Sequence, residues 1–275
     1  MFDLSDVHFS RYDVARKITI PERMTESLAE EIGIHVGDGS LGIYKFLTGN
    51  MWVYRISGSL EELDYYKTHV KSLLESLFNF SGKISAVAEN ESQIRIYSKA
   101  IATFKSNVLK LPVGSKSGTV RIPEVIISSP RCFTPFLRGI ADSDFSFTFK
   151  KKHWDVHKYP VIQAAFASRA LVEDLQKILL DLKFKPYTCM NVTVADGKGN
   201  PHKIHSLYLP GKNNLVKWYR EIGFSSPITK TRFLVWKKFG FCPPYTTLND
   251  RIKILSSDIN PQEICPCSSA GRAAK

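Results

Sequence analysis

The chain has 275 residues, of which 43% are hydrophobic and 12% aromatic. That excludes a disordered chain and allows one large domain or two of ordinary size. Lys and Arg number 38 against 26 Asp and Glu, for a net charge of +12 and a pI of about 9.4. Such an excess points to an anionic partner, nucleic acid first and an anionic membrane second. Met1-Phe2-Asp3-Leu4-Ser5-Asp6 is acidic and lacks the apolar segment of a signal peptide. No apolar run approaches the ~20 residues of a membrane span. The five cysteines are odd in number and scattered, which suits a reducing compartment. Cys265-Pro266-Cys267 lacks the spacing of a zinc half-site. The expectation is an intracellular protein (cytoplasm, nucleoid or organelle matrix) that is not secreted and has no membrane partner.

In chain order, residues 1–24 read as an N-terminal arm with a short strand or helix. Thr25 is an N-cap for a helix through Gly33 and Gly37, and Gly39 suits the left-handed position that would stop it. Leu41–Lys45 and Met51–Ser57 alternate as a hairpin around Thr48-Gly49-Asn50. Leu60–Phe80 has helical periodicity closed by Gly82. Lys83–Ala88 and Gln93–Ser98 form a second hairpin pair around Glu89-Asn90-Glu91. Ile101–Leu111 is a short helix stopped by Pro112. Val113–Pro130 is rich in Gly, Ser, Pro and Lys and reads as a linker.

The order then repeats. A second helix carries Phe136-Leu137-Arg138-Gly139-Ile140-Ala141-Asp142-Ser143-Asp144-Phe145. Strand-like Phe145–Lys152 and Tyr159–Ser168 follow, then a helix over Leu171–Leu182. Strands Tyr187–Ala195 and Ile204–Leu209 and a helix over Asn213–Ile222 complete the set. Asp38 precedes Leu60 by 22 residues and Tyr97 by 59; Asp144 precedes Leu171 by 27 and Tyr208 by 64. The near-constant offset marks a duplication with one longer hairpin loop (153–158) in the second copy. The fold class is therefore α+β, two pseudo-symmetric αββαββα halves. The divisions are 1–24 (arm), 25–112 (first half), 113–131 (linker), 132–240 (second half) and 241–275 (C-terminal extension).

Gly33 and Gly37, and Gly139 and Ser143, are small residues four apart, so each pair lies on one helix face. Helices without bulk there can approach backbone to backbone. If the two copies pack on each other, Asp38 and Asp144 meet at their ends. Two carboxylates converging in a basic protein suggest divalent metal and phosphate chemistry.

Gly33-Ile34-His35-Val36-Gly37-Asp38-Gly39 and Leu137-Arg138-Gly139-Ile140-Ala141-Asp142-Ser143-Asp144 resemble the paired motif of the LAGLIDADG homing endonucleases, over about residues 25–240. The resemblance implies a single-chain two-motif enzyme, likewise built of two four-stranded antiparallel sheets with helices on one face and the motif helices at the interface. It implies a monomeric, site-specific endonuclease that cuts both strands of double-stranded DNA at a long asymmetric target, leaving short 3′ overhangs. Asp38 and Asp144 would bind metal, helped by the carbonyls of Gly37 and Ser143. The ion would be Mg²⁺ or Mn²⁺, with Ca²⁺ a non-catalytic substitute. Lys116 and Lys230, 78 and 86 residues after their aspartates, would polarise the attacking water or stabilise phosphate charge. Phe145 stands where the family's motif ends in glycine, so the helix exit there must avoid the left-handed region or carry strain. His35 replaces an aliphatic residue and is read as a neutral packed histidine. Asp142 is read as a structural partner.

DNA contacts would come from alternate strand residues on the concave face. In the first half the candidates are Tyr44, Lys45, Tyr54, Arg55, Arg95 and Tyr97. In the second they are Lys150, Lys152, His153, Trp154, His157, Lys158, Gln163 and Arg169. A one-residue register slip would reverse the faces. No phosphate-binding Gly-rich loop and no Gly-x-Ser-x-Gly elbow is present. Gly42-Ile43-Tyr44 lacks its Tyr-Ile-Gly partner, and the pairs His153/His157 and His202/His205 lack further zinc ligands. The start at Met1-Phe2 and the absence of a terminal His-Asn favour a free-standing, intron-encoded enzyme over an intein. The alternative reading is a non-cleaving nucleic-acid-binding protein on the same scaffold: an intron RNA maturase, which adds intron RNA as a partner, or a DNA-binding regulator.

Overall fold

The computed structural model describes residues 1–47, 49–88 and 90–264; Thr48, Glu89 and the Cys265-Pro266-Cys267 segment lie outside them. After a short helix α1 (Arg11–Ala15) comes α2 (Glu26–Gly37), whose N-cap Thr25 accepts a bond from the Leu28 amide. Strands β1 (Gly39–Phe46) and β2 (Gly49–Ser59) form the first hairpin. A 3₁₀ turn (Leu60–Glu62), α3 (Leu63–Tyr65), a π-helical turn (Tyr66–Val70) and α4 (Lys71–Phe78) follow in one helical run. That run ends on Asn79 in the left-handed conformation, not on Gly82, because a short Asn side chain tolerates positive φ. Strands β3 (Lys83–Ala88) and β4 (Glu91–Tyr97) and helix α5 (Lys99–Thr103), continued by a π turn to Val108, complete the half.

A small helix α6 (Glu124–Ile127) lies in the linker. The second half runs α7 (Phe133–Asp144), β5 (Ser146–Lys150), β6 (Tyr159–Phe166), α8 (Arg169–Asp181), β7 (Tyr187–Ala195), β8 (Pro201–Pro210) and α9 (Lys212–Glu221). Two further helices follow, α10 (Pro227–Phe239) and α11 (Leu248–Leu255). The reading of a chain that ends its helices near Ile222 missed α10, because Gly223 and Pro227 look like a stop. Pro227 instead occupies the first helical turn, where its missing N–H costs nothing. Both sheets are antiparallel with the same strand order, β1-β2-β4-β3 and β5-β6-β8-β7. Identical orders in one chain are the internal two-fold that the repeat spacing anticipated. No described helix is long and apolar enough to cross a membrane.

Helices α2 and α7 form the seam between the halves. Both are buried along most of their length, so the polar side chains they bury, Glu30, Glu31, His35 and Asp142, must be partnered or neutral. Their backbones touch. A Cβ on Gly33 would lie 2.2 Å from the carbonyl O of Phe136, and one on Gly139 would lie 2.1 Å from that of Glu30. One turn on, a Cβ on Gly37 would lie 2.1 Å from Ser143 Oγ. Ser143 tolerates this by folding its hydroxyl back onto the carbonyls of Gly139 and Ile140, at 3.1 Å each. A polar clamp sets the register. Glu30 accepts from Arg138 at 2.8 Å and from Ser225 Oγ at 2.9 Å across the seam, and contacts His69 at 2.7 Å. Burial alone would raise its carboxyl, but His69 and Arg138 bring it down to about 2. Removing a partner would leave the buried Glu30 carboxylate uncompensated, which is costly.

Gly139→Ala should destabilise the protein by about 3 kcal/mol in urea unfolding, since the new Cβ meets a backbone carbonyl that cannot swing away. Gly197→Ala has nothing within 4 Å and should stay within about 0.5 kcal/mol. Equal losses at both positions would contradict the backbone-contact seam.

Candidate nucleic-acid interface and paired-aspartate centre

The docked helices place Asp38 and Asp144 beside each other. A Cβ on Gly37 would lie 3.1 Å from Asp144 Oδ2, and the charge of Asp144 bears on Asp38. Neither helix exits through the left-handed region. Asp38 caps α2 in right-handed geometry, and Gly39 starts β1 without a positive φ. The glycine is required by space: a Cβ there would sit 2.5 Å from His35 Cα. Phe145 leaves α7 in extended geometry, φ −91° and ψ 142°, with its ring packed against Phe166 and Trp218. The strain that Phe145 threatened is therefore absent, because the extended exit suits any residue.

The two ends differ in their surroundings. Asp38 is half-buried; burial first, then Asp144 and Glu62, raise its carboxyl to about 8, while Tyr66 and Lys116 pull it back. Tyr66 donates to Asp38 Oδ2 at 3.1 Å. Glu62 accepts from the Ser59 amide and hydroxyl, and Gly58 makes the room, since a Cβ there would meet both Tyr66 and Glu62. Sequence reasoning missed Glu62 and Tyr66. The Ser59-x-x-Glu62 capping box was the available signal, read only as the start of a helix. Asp144 is exposed at the mouth of the cleft; the protein crowding it raises its carboxyl, Lys116 opposes this and Glu62 adds to it. Asp142 is also raised, to about 6, by burial. It accepts from the amides of Ser225 and Ser226 and from Thr229 Oγ1, so it fastens the start of α10 to the second motif helix.

The two lysines are not equivalent. Val113 bridges to Leu41 beside β1, and Gly114, at φ +85°, turns the chain back under α2. Lys116 Nζ thereby donates to the last carbonyls of that helix, His35, Val36 and Gly37, at 2.7, 2.6 and 2.5 Å. A cation at a helix C-terminus satisfies orphan acceptors and the helix dipole. The Gly37 carbonyl thus has an occupant, whereas that of Ser143 has no side-chain donor among the described residues. Burial lowers Lys116 to about 8, and the two aspartates oppose the drop. Lys230 lies instead on α10, exposed, its side chain without a hydrogen bond or ion pair among the described residues. It is not among the groups that shift either aspartate. The similar separations, 78 and 86 residues, do not place the two lysines alike.

Behind Asp38, His35 is fully buried and stacks on Tyr54 at 5.1 Å. Neither ring nitrogen has a partner, and burial with the charges of Lys105 and Lys116 keeps it neutral. Tyr54 donates to Glu31 at 2.7 Å, and Glu31 pairs with Lys105 at 2.6 Å with both side chains fully buried. Tyr54 is therefore an interior residue and no DNA contact. The strand register settles the rest. Tyr44, Arg55, Arg95 and Tyr97 share the face opposite the core, with Arg55 paired to Arg95; Lys45 falls on the other face. In the second sheet Lys150 and Gln163 share the open face with Tyr208 and Tyr187, which stack at 4.8 Å. Those two tyrosines were missed, although alternation along β7 and β8 could have shown them. Lys152 lies 3.5 Å over Tyr159, Lys158 lies 4.2 Å over Trp154, and Trp154 stacks on Tyr159. His153 is exposed in the same loop. His157 contacts the Phe149 carbonyl at 2.8 Å and is a loop brace. Arg169 sits on the first turn of α8 with Glu173, off the sheet.

The C-terminal extension returns to the first half. The Leu248 amide donates to Glu61, the neighbour of Glu62, and buried Arg251 lies 3.9 Å from the same carboxylate. Arg251 is held by Thr231 and Thr246. No described cluster of three or more His, Cys, Asp or Glu could hold a metal.

No family model matches the chain. The crystal structure of an I-DmoI double variant, in complex with its target DNA nicked in the coding strand and in the presence of Mn, is similar over 72% of this chain and 95% of its own. The TM-score is 0.51 at 17% identity. The LAGLIDADG homing endonuclease I-GzeII in complex with its DNA target covers 87% and 99%, at 11% identity and TM-score 0.49. The LAGLIDADG meganuclease I-AabMI bound to uncleaved DNA covers 88% and 100%, at 11% and 0.48. The structural neighbours are thus LAGLIDADG homing endonucleases, and the likeness is one of fold. An A-type ATP synthase subunit from Pyrococcus abyssi is 31% identical over 125 residues, 45% of this chain and 11% of that protein. The chain spans about a tenth of the length of this curated relative.

Asp38 supplies a pH signature. Its folded carboxyl, at about 8, holds a proton that the unfolded chain releases near its ordinary value of 3.8. The folded state is then favoured at low pH, and stability falls as pH rises from about 4 to 8. Asp38→Asn removes this loss. Its Tm should match wild type at pH 4 and exceed it at pH 8 by roughly 10 °C or more, since a shift from 3.8 to about 8 corresponds to on the order of 5 kcal/mol. A difference independent of pH would refute the crowded-carboxylate reading.

Proposed function

We propose that this chain, with the fold its LAGLIDADG homing endonuclease neighbours share, is a site-specific DNA endonuclease. It would hydrolyse both strands of a long asymmetric target with a divalent cation, Mg²⁺ or Mn²⁺, and leave short 3′ overhangs. The observation that carries this is the convergence of Asp38 and Asp144 at the ends of two helices in backbone contact, beneath two polar sheet faces. Cutting two strands needs two phosphates engaged close together, and one cleft with a single carboxylate would not serve.

The donor chemistry fits a hard cation. Two carboxylates crowd each other, with Lys116 the nearby positive charge, and hard cations take carboxylate and carbonyl oxygens. Asp38 and Asp144 would hold the ion, with the Ser143 carbonyl available as a further oxygen. A bound divalent cation lowers the pKa of attacking water and neutralises phosphate charge. Tyr66 orients the Asp38 carboxylate, and Lys116 sets the positive potential behind the pair. Arg55, Arg95, Lys150 and Gln163 would contact DNA from the open faces, Arg and Gln reading base edges and Lys binding phosphate. Residues 25–112 and 132–240 act as the two halves, joined in one monomer.

The test is incubation with a library of intron-insertion junctions, with Mg²⁺ and with EDTA. Mg-dependent double-strand cleavage of some junction is expected. Binding without cleavage under every condition would replace this reading with a non-cleaving DNA- or intron-RNA-binding protein. Asp38→Asn and Asp144→Asn should each lower double-strand cutting by more than ~100-fold while binding stays nearly intact. Lys116→Met should slow cutting by ~10–100-fold, and Lys230→Met should leave it unchanged. Equal losses from the two lysine variants would restore the symmetric assignment.

A further inference from the structure

Three cavities of the second half join end to end. One of about 270 Å³ opens beside Asp144 and runs over Ser146, Gln163 and Tyr208. The next, about 520 Å³, shares Gln163 and Tyr208 and is lined by Lys150, Lys151 and Lys152. The third, about 440 Å³, shares Pro210 with the second and carries Lys183, Lys185, Lys212 and Lys217. Asp144 is the one carboxylate among the residues lining the three. The groove therefore starts at the paired aspartates, follows β8 across the open face and leaves the sheet where that strand ends.

The exit is built, not frayed. Gly211, at φ +91°, turns the chain from β8 into α9 while its amide bonds to Pro160 at 2.8 Å. Asn214, 7% exposed, accepts from the Lys185 amide at 3.2 Å and donates to the Pro210 carbonyl at 2.9 Å. It staples the loop after α8 to the first turn of α9, and Lys183, Lys185 and Lys212 line one cavity there. Lys217 is neutralised by Glu221. Lys183, Lys185 and Lys212 are exposed and have no carboxylate partner among the described residues. Like charges held together repel, and a polyanion relieves that repulsion.

We propose that Lys183, Lys185 and Lys212, beyond the edge of the sheet, bind phosphates of the target duplex where it leaves the second half. This rests on the reading of the chain as a DNA endonuclease. Lysine contacts to phosphate position the duplex without reading sequence. The grip there is therefore independent of sequence and sensitive to salt.

The experiment measures binding to a labelled random-sequence duplex of about 40 base pairs between 50 and 200 mM salt, the range over which phosphate contacts are lost. Wild type is compared with the triple variant Lys183→Ala/Lys185→Ala/Lys212→Ala and with a control, Lys67→Ala/Lys177→Ala/Lys253→Ala, exposed lysines elsewhere. The triple variant should lose about 2–3 units of the log K against log salt slope, at ~0.9 per phosphate, and about tenfold in affinity. The control should keep the wild-type slope. Melting curves check that each variant folds. Equal slopes for triple variant and control overturn the inference and leave the endonuclease reading standing. Failure of wild type to bind any duplex overturns both readings.

Discussion

The structure depends on one close contact: two helix backbones touching at Gly33 and Gly139, and again at Gly37 and Ser143. Nothing larger fits, so the contact fixes how closely the two helices approach along their length. This is what turns two ordinary aspartates into a pair. Each is the residue after the second small one, and the contact that admits no side chain at Gly37 brings the Asp144 carboxylate against it. A loosely packed bundle with the same residues would leave the carboxyls free to separate and titrate as ordinary acids.

Symmetry of fold does not extend to symmetry of environment. Asp38 is served by Tyr66, Glu62 and Lys116, and the segment carrying Glu62 is tied through Glu61 to the C-terminal helix. Asp144 stands nearer to solvent and shares only Lys116 and Glu62. The extension after α9 supplies part of the difference: α10 is anchored on Asp142, and α11 reaches back across the seam. Duplication thus set the frame, and the unrepeated segments distinguished the two ends.

The charge distribution follows the same logic. The interior cations are paired or capped: Lys105 with Glu31, Arg138 with Glu30, Lys116 with three carbonyls. Apart from Lys217, which pairs with Glu221, the lysines of the second sheet's open face and flank have no carboxylate partner among the described residues. The excess charge of +12 is therefore concentrated in part on surface continuous with the aspartates. A cationic groove leading to a cluster of carboxylates gives an approaching polyanion one preferred path.

The sequence by itself determined the duplication, the strand and helix order, the small-residue faces and the two aspartates, because periodicity and spacing are local properties of the chain. Thr25 as a cap was readable for the same reason, and so were the arginines of alternating strands. Register and packing belong to the tertiary structure. Pairing of Arg55 with Arg95 turned Tyr54 inward, and no spacing rule could choose that face. The demand for glycine at position 39 was legible, but its cause, the nearness of His35, was not; Phe145 showed that no left-handed residue was needed. Lys116 and Lys230 looked equivalent at similar distances along the chain. Only the turn at Gly114 and the unforeseen helix α10 decided that one caps the first motif helix and the other faces solvent, because where a side chain ends up depends on which backbone runs beneath it.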